Sequence, residues 1–463
     1  MYARLLRRLR RSCYALLLPL ALVACSDGSD DLTGIAPAVR PVVFVHGQSG
    51  SAQQFETQIM RFTSNGYPVS MLFAFEYSTA VSDNPLTELD AFIDGVLAQT
   101  GAEAVYAVGH SRGTSVWTTY LDDPAFNGPD KVARYVNIDG RDPDMLPGGV
   151  PSIGIWGEWN TANSGFSRRS DNAQIGPFPE DNYYFPNKSH TEVATSREAF
   201  ARMYEFLTGV APARTDVAAI PAGEPLEVEG RAVFFPENQG YAGATVQVWE
   251  VAAETGQRVS GTPVAEFPID ESGDFGPVSL ASGGYYEFAV LRPATATFPE
   301  ESVHHFYPEP YTHENRFVRL QTSAPGESIA AFLPNSENAT GLLVTRMREF
   351  WGDQGDLSDE LYVDGLNLLT PQISPRAAVN LAMFAFDDNE DMLTDLGKGV
   401  LSPFNNISFL TAADVFVPAS PGGSGSVAVR LVTRGEGSKQ INVPNRPSAL
   451  DRTSVMFRDD TAN

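Results

Sequence analysis

Cysteine is scarce in this sequence: 463 residues contain two, Cys13 and Cys25. No disulfide framework is available to the body of the chain, so its stability must come from packed cores. Basic side chains are also few. Lys and Arg number 32 against 57 Asp and Glu, for a net charge of −25. Binding to nucleic acid needs clustered cations on one face, and this balance argues against it. An acidic surface fits a protein kept soluble outside the cytoplasm, although charge bears on solubility and not on fold. Histidine occurs six times, few enough to consider each in turn. There is no low-complexity run long enough to indicate disorder, and the length suggests two to four domains.

The first 25 residues have the layout of an export signal. Arg4, Arg7, Arg8, Arg10 and Arg11 form a basic head, and Cys13 to Ala24 is apolar but too short to span a bilayer. The run ends Leu22-Val23-Ala24-Cys25, which resembles a bacterial lipobox. That resemblance implies cleavage before Cys25, acylation of its thiol and a membrane anchor, and Ser26 in the next position points to the outer membrane. Residues 26–39 are a small, polar tether.

From Pro41 the chain alternates strand and helix patterns, as expected for a parallel sheet with helices on both faces. Strands are predicted at Pro41–Val45, Val69–Phe75, Ala104–Val108, Ala133–Ile138 and Ser152–Trp156. Helices are predicted at Ala52–Asn65, Leu86–Gln99, Thr114–Leu121 and Arg197–Leu207. Residues 40–210 are therefore read as one α/β domain. Residues 211–224, rich in Ala, Pro and Gly, read as a linker. Beyond them come short β-like runs separated by turns. Residues 225–325 read as a sandwich-like domain, with Asp270–Phe275 and Ser282–Tyr286 resembling prealbumin-like modules. Residues 326–463 are a second β-rich domain or a continuation of the first.

The chemistry centres on Gly109-His110-Ser111-Arg112-Gly113. The pattern Gly-x-Ser-x-Gly is common by chance, but here a strand runs into it and a helix leaves it. A sharp strand-to-helix turn lifts a Ser hydroxyl off the sheet, and the new helix points its N-terminal dipole at a developing oxyanion. A serine nucleophile needs a base at hand. His46 sits in a Gly-rich loop after the first strand. His110 directly precedes Ser111 on a tight turn, so its side chain should point away. His304, His305 and His313 lie in the β half. His190, just before the closing helix, remains. The acid that orients the imidazole should end a strand between Ser111 and His190. Asp139 and Glu158 both qualify, and Asp139 is favoured because Asp is the commoner acid.

Val45-His46-Gly47-Gln48-Ser49-Gly50 resembles the oxyanion loop of lipases and esterases, which implies a hole formed by the N–H groups of Gln48 and Arg112. The Ile138–Pro143 run is similar to that of lipases whose acid follows the strand after the nucleophile. The whole layout resembles two-domain bacterial and archaeal lipases of the α/β-hydrolase superfamily, with a β-rich C-terminal domain. It implies an exported serine hydrolase of carboxylic esters, a lipase or carboxylesterase, working through an acyl-enzyme on Ser111. A polyester depolymerase and a non-catalytic lipid- or partner-binding lipoprotein are the alternatives. The stretch between Ile138 and His190 leaves no room for a large helical lid. Aromatics within it, Trp156, Trp159, Phe166, Phe178, Tyr183, Tyr184 and Phe185, are candidates to line an acyl pocket. No cofactor or metal is expected. Asp387–Asp391 has calcium-like spacing but lacks the Gly and distal Glu of an EF-hand loop.

Overall fold

The computed structural model describes residues 39–161, 166–168, 173–296, 299–324, 329–435 and 437–459. The signal-like segment with Cys25 lies outside them. Strand β1 (Val42–Val45) is apolar and buried at every position, as a strand covered on both faces must be. It pairs in parallel with β2 (Leu72–Phe75) and β3 (Val105–His110). The sheet continues in parallel through β4 (Val132–Ile138) and β5 (Ser152–Thr161). Two strands then flank β5: β6 (Phe166–Arg168) antiparallel and β7 (Asn182–Ser189) parallel.

Successive residues of a strand face opposite sides, and the helices divide accordingly. Val42, Phe44 and Val108 pack under α1 (Glu56–Ser64). Val43, Val45 and Ala107 pack under α2 (Leu86–Thr100) and α3 (Arg112–Asp122). A single turn, α4 (Gly128–Lys131), leads into β4. After β7 come α5 (Glu192–Thr195) and α6 (Arg197–Thr208), the latter on the α1 side, where Phe62 and Phe200 meet edge to face at 5.4 Å. Burying each such ring stabilises the fold by about 2 kcal/mol. Ser196 caps α6 through its hydroxyl, and Gly209 ends it in a left-handed conformation. The predicted strand Val69–Phe75 begins late. Val69–Met71 form a 3-10 turn closed by the Met71 N–H on the Pro68 carbonyl, and pairing starts only at Leu72.

Among the described residues the β half contains three sheets, one of them shared. An eight-stranded sheet runs Ala265–Pro268, Thr245–Glu250, Tyr286–Arg292, Glu301–Pro308, Asp451–Met456, Leu342–Thr345, Ala382–Phe386 and Leu410–Asp414. A second sheet, of Asp274–Ala281, Pro225–Phe234 and Asn315–Thr322 with the short Gln239–Gly240, closes a core around Val228, Phe275, Phe288 and Leu320. The third is built from Leu366–Asn367, Glu360–Val363, Ser426–Val432 and Ser438–Pro444. It closes a core around Leu361, Val429, Val443 and Val455. The two cores lie on opposite faces of the shared sheet: Phe306 and Met456 enter one, their neighbours Tyr307 and Val455 the other. The strand Asp451–Met456 joins the two regions, pairing in parallel with both neighbours. In the Asp387–Asp391 run, Asp387 is buried and accepts from the Asp391 and Met392 N–H groups, while Lys398 bridges Asp388 and Asp414.

Candidate active site

Ser111 sits between β3 and α3 with φ 52° and ψ −120°, a conformation that costs a non-glycine residue free energy and recurs at functional turns. Its N–H donates to the Ile138 carbonyl at 3.0 Å, tying the turn to β4. The loop after β1 comes close: a Cβ on Gly47 would lie 2.9 Å from the Ser111 Cβ and 3.2 Å from His110 Nδ1. Only glycine permits that approach.

The structure brings Ser111, His190 and Asp139 together. His190 Nε2 lies 2.9 Å from Ser111 Oγ, and His190 Nδ1 lies 2.7 Å from Asp139 Oδ2. All three come from the carboxyl ends of strands or the turns just after them, which the parallel sheet gathers at one edge. Asp139 is 1% exposed. Its other oxygen accepts the Gly157 N–H at 3.1 Å, and its own N–H donates to Ile155 at 2.8 Å. With Nδ1–H directed at the carboxylate, Nε2 is left as a lone-pair acceptor facing the hydroxyl. Such an array can take a proton from Ser111 and return it to a leaving group. Glu158 stands apart from it. Its carboxylate accepts the Asn187 N–H at 2.7 Å and shapes the turn before Ser189.

His110 departs from the expectation that it points away. Its ring lies 4.6 Å from that of His190, and its Nε2 donates to the His190 carbonyl at 2.9 Å. Gln54 contacts His110 Nδ1 and also accepts the Gly47 N–H at 3.2 Å. A chain of side chains therefore links the loop after β1 to the backbone of His190. Burial holds the His110 pKa well below its usual value, so the ring is neutral and its tautomer follows from this chain. Burial also pushes His46 down to about 4; its ring stacks on Tyr77 at 4.4 Å. Gln48 borders the cavity at Ser111, and its side chain is fixed by the Thr79 carbonyl at 2.7 Å and by Arg112 at 2.8 Å. Arg112 opens α3, where backbone N–H groups have no partner within the helix.

The β half holds this loop from outside. Glu76, just after β2, accepts the Ala52 N–H at 2.8 Å and pairs with Arg319 at 2.7 Å and Arg231 at 2.6 Å. Burial alone would raise its pKa, but Arg319 and then Arg231 hold it at about 2. Glu287 is likewise buried and held at about 2, by Arg258 and His305. Both values lie below the ordinary 4.5, so the unfolded chain binds more protons between them. The stabilisation is complete above pH 4.5 and is lost as the pH falls toward 2, about 3 kcal/mol for each group at most. Urea midpoints are expected to drop between pH 6 and pH 3, and less steeply in Glu76→Gln. Equal midpoints at the two pH values would contradict this.

A cavity of about 110 Å³ opens on Ser111 and His190. Its far wall is not made from the aromatics between Asp139 and His190. Trp156 is buried and donates to Asn182, Tyr183 and Phe185 pack on the helical layer, and Phe178 and Tyr184 face solvent. The side chains of Trp159 and Phe166 lie outside the described set. Instead the wall is one face of the shared sheet, Phe306, Leu343, Ala382, Leu410 and Met456, joined by Phe235, Met347, Leu381 and Phe409. The register sets Phe306 opposite Ser454, Ser454 opposite Leu343, and Ala382 opposite Leu410. Among the described residues, no group of three or more His, Cys, Asp or Glu could hold a metal ion, and no helix is long and apolar enough to cross a membrane.

The fold and the strand-end placement of this site define an α/β-hydrolase. Residues 39–121 match the lipase (class 2) family, residues 224–325 the lipase C-terminal domain family, and residues 328–461 a further C-terminal domain family. The chain is a hydrolase of the lipase and esterase type, resembling two-domain lipases with a β-rich C-terminal region. Solved structures similar to it include the mature lipase of Bacillus licheniformis, at 14% identity over 37% of this chain and 93% of that one (TM-score 0.28). Another is an α/β serine hydrolase without a lid from Xanthomonas campestris, at 14% identity over 38% and 86% (TM-score 0.26). A third is an extracellular α/β-hydrolase of a Paenibacillus species, at 21% identity over 23% and 43% (TM-score 0.18).

Proposed function

We propose that the chain is an exported serine esterase that cleaves esters of apolar carboxylic acids through an acyl-enzyme on Ser111. The observation that carries the reading is the Ser111–His190–Asp139 array opening on a cavity whose far wall is largely apolar. Ser111 Oγ attacks the ester carbonyl as His190 Nε2 takes its proton. The N–H groups of Gln48 and Arg112 receive the oxyanion, and His190 returns the proton to the departing alcohol. Water then repeats the sequence on the acyl-enzyme. A wall of Phe, Leu and Met favours an acyl tail over a polar acid, since a buried polar group without a partner is penalised. The export part of the reading rests on residues 1–25 alone.

A fluorophosphonate probe tests this. Stoichiometric labelling of Ser111, absent in Ser111→Ala, is expected alongside hydrolysis of 4-nitrophenyl esters. Folded protein that neither labels nor hydrolyses would be a binding lipoprotein instead. The intact mass of labelled protein from cell envelopes reports whether the chain has been cut and acylated at Cys25.

A further inference from the structure

The search for a second role leads to the side of His190 that faces away from Ser111. There a carboxylate from the β half, Glu349, is completely buried. It lies just beyond the strand Leu342–Thr345, more than 150 positions from the loop it touches. Its Oε1 accepts the Thr191 N–H at 2.6 Å, its Oε2 accepts the Glu192 N–H at 3.1 Å, and the Ser189 hydroxyl donates to it as well. The residues just before and just after His190 are thus gripped by one side chain.

A second contact from the same region reinforces the grip. Glu192, also buried, pairs with Arg434 at 2.6 Å and Arg348 at 3.0 Å. The Arg346 and Arg434 guanidinium groups in turn donate to the Glu349 carbonyl. On the opposite side, the hydrolase domain supports the His190 backbone through the His110 hydrogen bond to its carbonyl, next to the pairing of Ser189 with Trp159 of β5. The base loop is held between these supports, and its imidazole can meet Ser111 and Asp139 at once only while the loop stays in place.

We infer that Glu349 is a positioning residue for the base, so that the β half sets the chemical competence of the site as well as walling its cavity. The inference rests on the reading of His190 as the base of Ser111. It separates two roles of the β half. Cavity walls affect the binding of long acyl chains, and would leave acetyl esters untouched. The Glu349 grip affects the proton relay, which every ester needs equally. Misplacing a catalytic group by about 1 Å costs on the order of a hundredfold in rate.

The test measures kcat and KM on 4-nitrophenyl acetate and decanoate, with the rate of fluorophosphonate labelling, for wild type, Glu349→Ala, Glu349→Gln and Ile441→Ala. Ile441 is in the core of the same region and is no partner in the Glu349 or Glu192 contacts; its truncation lowers stability and removes none of those bonds. Glu349→Ala is expected to lose about a hundredfold in kcat on both esters and in labelling rate, with KM nearly unchanged. Glu349→Gln keeps one acceptor oxygen and should fall between. Ile441→Ala should melt earlier while keeping its kcat at temperatures below its transition. The inference is overturned if Glu349→Ala keeps wild-type kcat, if its loss appears only as KM on decanoate, or if Ile441→Ala loses kcat equally. Should Glu349→Ala fail to fold, Glu349→Gln carries the same comparison. A wild-type protein that does not label at Ser111 would sink the base assignment itself, and is distinguished by that result.

Discussion

Replacing Asp139 with Asn is expected to lower turnover about ten-thousandfold while the protein stays folded. Asn has the volume of Asp and leaves the packing at the end of β4 intact. Its amide, however, can present N–H groups to His190 Nδ1, which favours the tautomer with the proton on Nε2. In that tautomer the nitrogen facing Ser111 Oγ at 2.9 Å cannot accept a proton. Glu158→Gln should leave turnover within the same order of magnitude, because that carboxylate contacts the Asn187 N–H and not the imidazole. Steady-state kcat on a short-chain ester, with a melting curve for each variant, decides between them. A larger loss in Glu158→Gln than in Asp139→Asn would reverse the assignment of the acid.

Gly113→Ala is expected to displace the turn that carries Ser111. A Cβ there would sit 2.1 Å from the Val45 carbonyl oxygen and 2.8 Å from that of His46. Both obstacles are backbone, so neither can swing aside, and α3 would have to move away from β1. Overpacking of this kind costs about 3 kcal/mol, the upper end of its usual range. The displacement would carry Ser111 with it and reduce turnover about a hundredfold. Gly95→Ala is the control. It lies on the exposed face of α2 with nothing within 4 Å of an added Cβ, and should stabilise the protein by about 1 kcal/mol. Urea denaturation and kcat report both. A Gly113→Ala protein as stable and active as wild type would mean that the turn is not built as described.

Much of the site was legible because its signals are local. A strand, a Gly-x-Ser-x-Gly turn and a helix fall within about twenty residues, and the scarcity of histidine reduced the base to one candidate. The acid was ambiguous for a physical reason. Asp139 and Glu158 both follow strands of the same parallel sheet, and only the register that seats the Asp139 N–H on Ile155 shows which reaches Nδ1. His110 was misjudged because its direction depends on Gln54, more than fifty positions earlier. The cavity wall was hidden more deeply. Phe306, Leu343 and Leu410 belong to strands whose alternation is the same whether the inner face meets a core or a cavity. The pairing of Glu349 with Thr191 likewise has no signature in either segment. In the β half the strand pattern was readable, but not that a single sheet serves two cores.

The parallel pairing of the strand Asp451–Met456 with both of its neighbours has a consequence in time. His304 and Ser454 meet at 2.8 Å across a separation of 150 positions, and Ser454 and Met456 are part of the wall facing Ser111. Pairings between distant segments form late, because a long loop must close before any contact offsets its entropy. A ribosome that has reached position 300 has already made Ser111, Asp139 and His190, yet the cavity they open on has no back. Only when residues near 456 emerge can the sheet be completed and the wall set in place. Until then the Ser111 turn lies open to water, and the apolar wall that faces it exists only in the finished molecule.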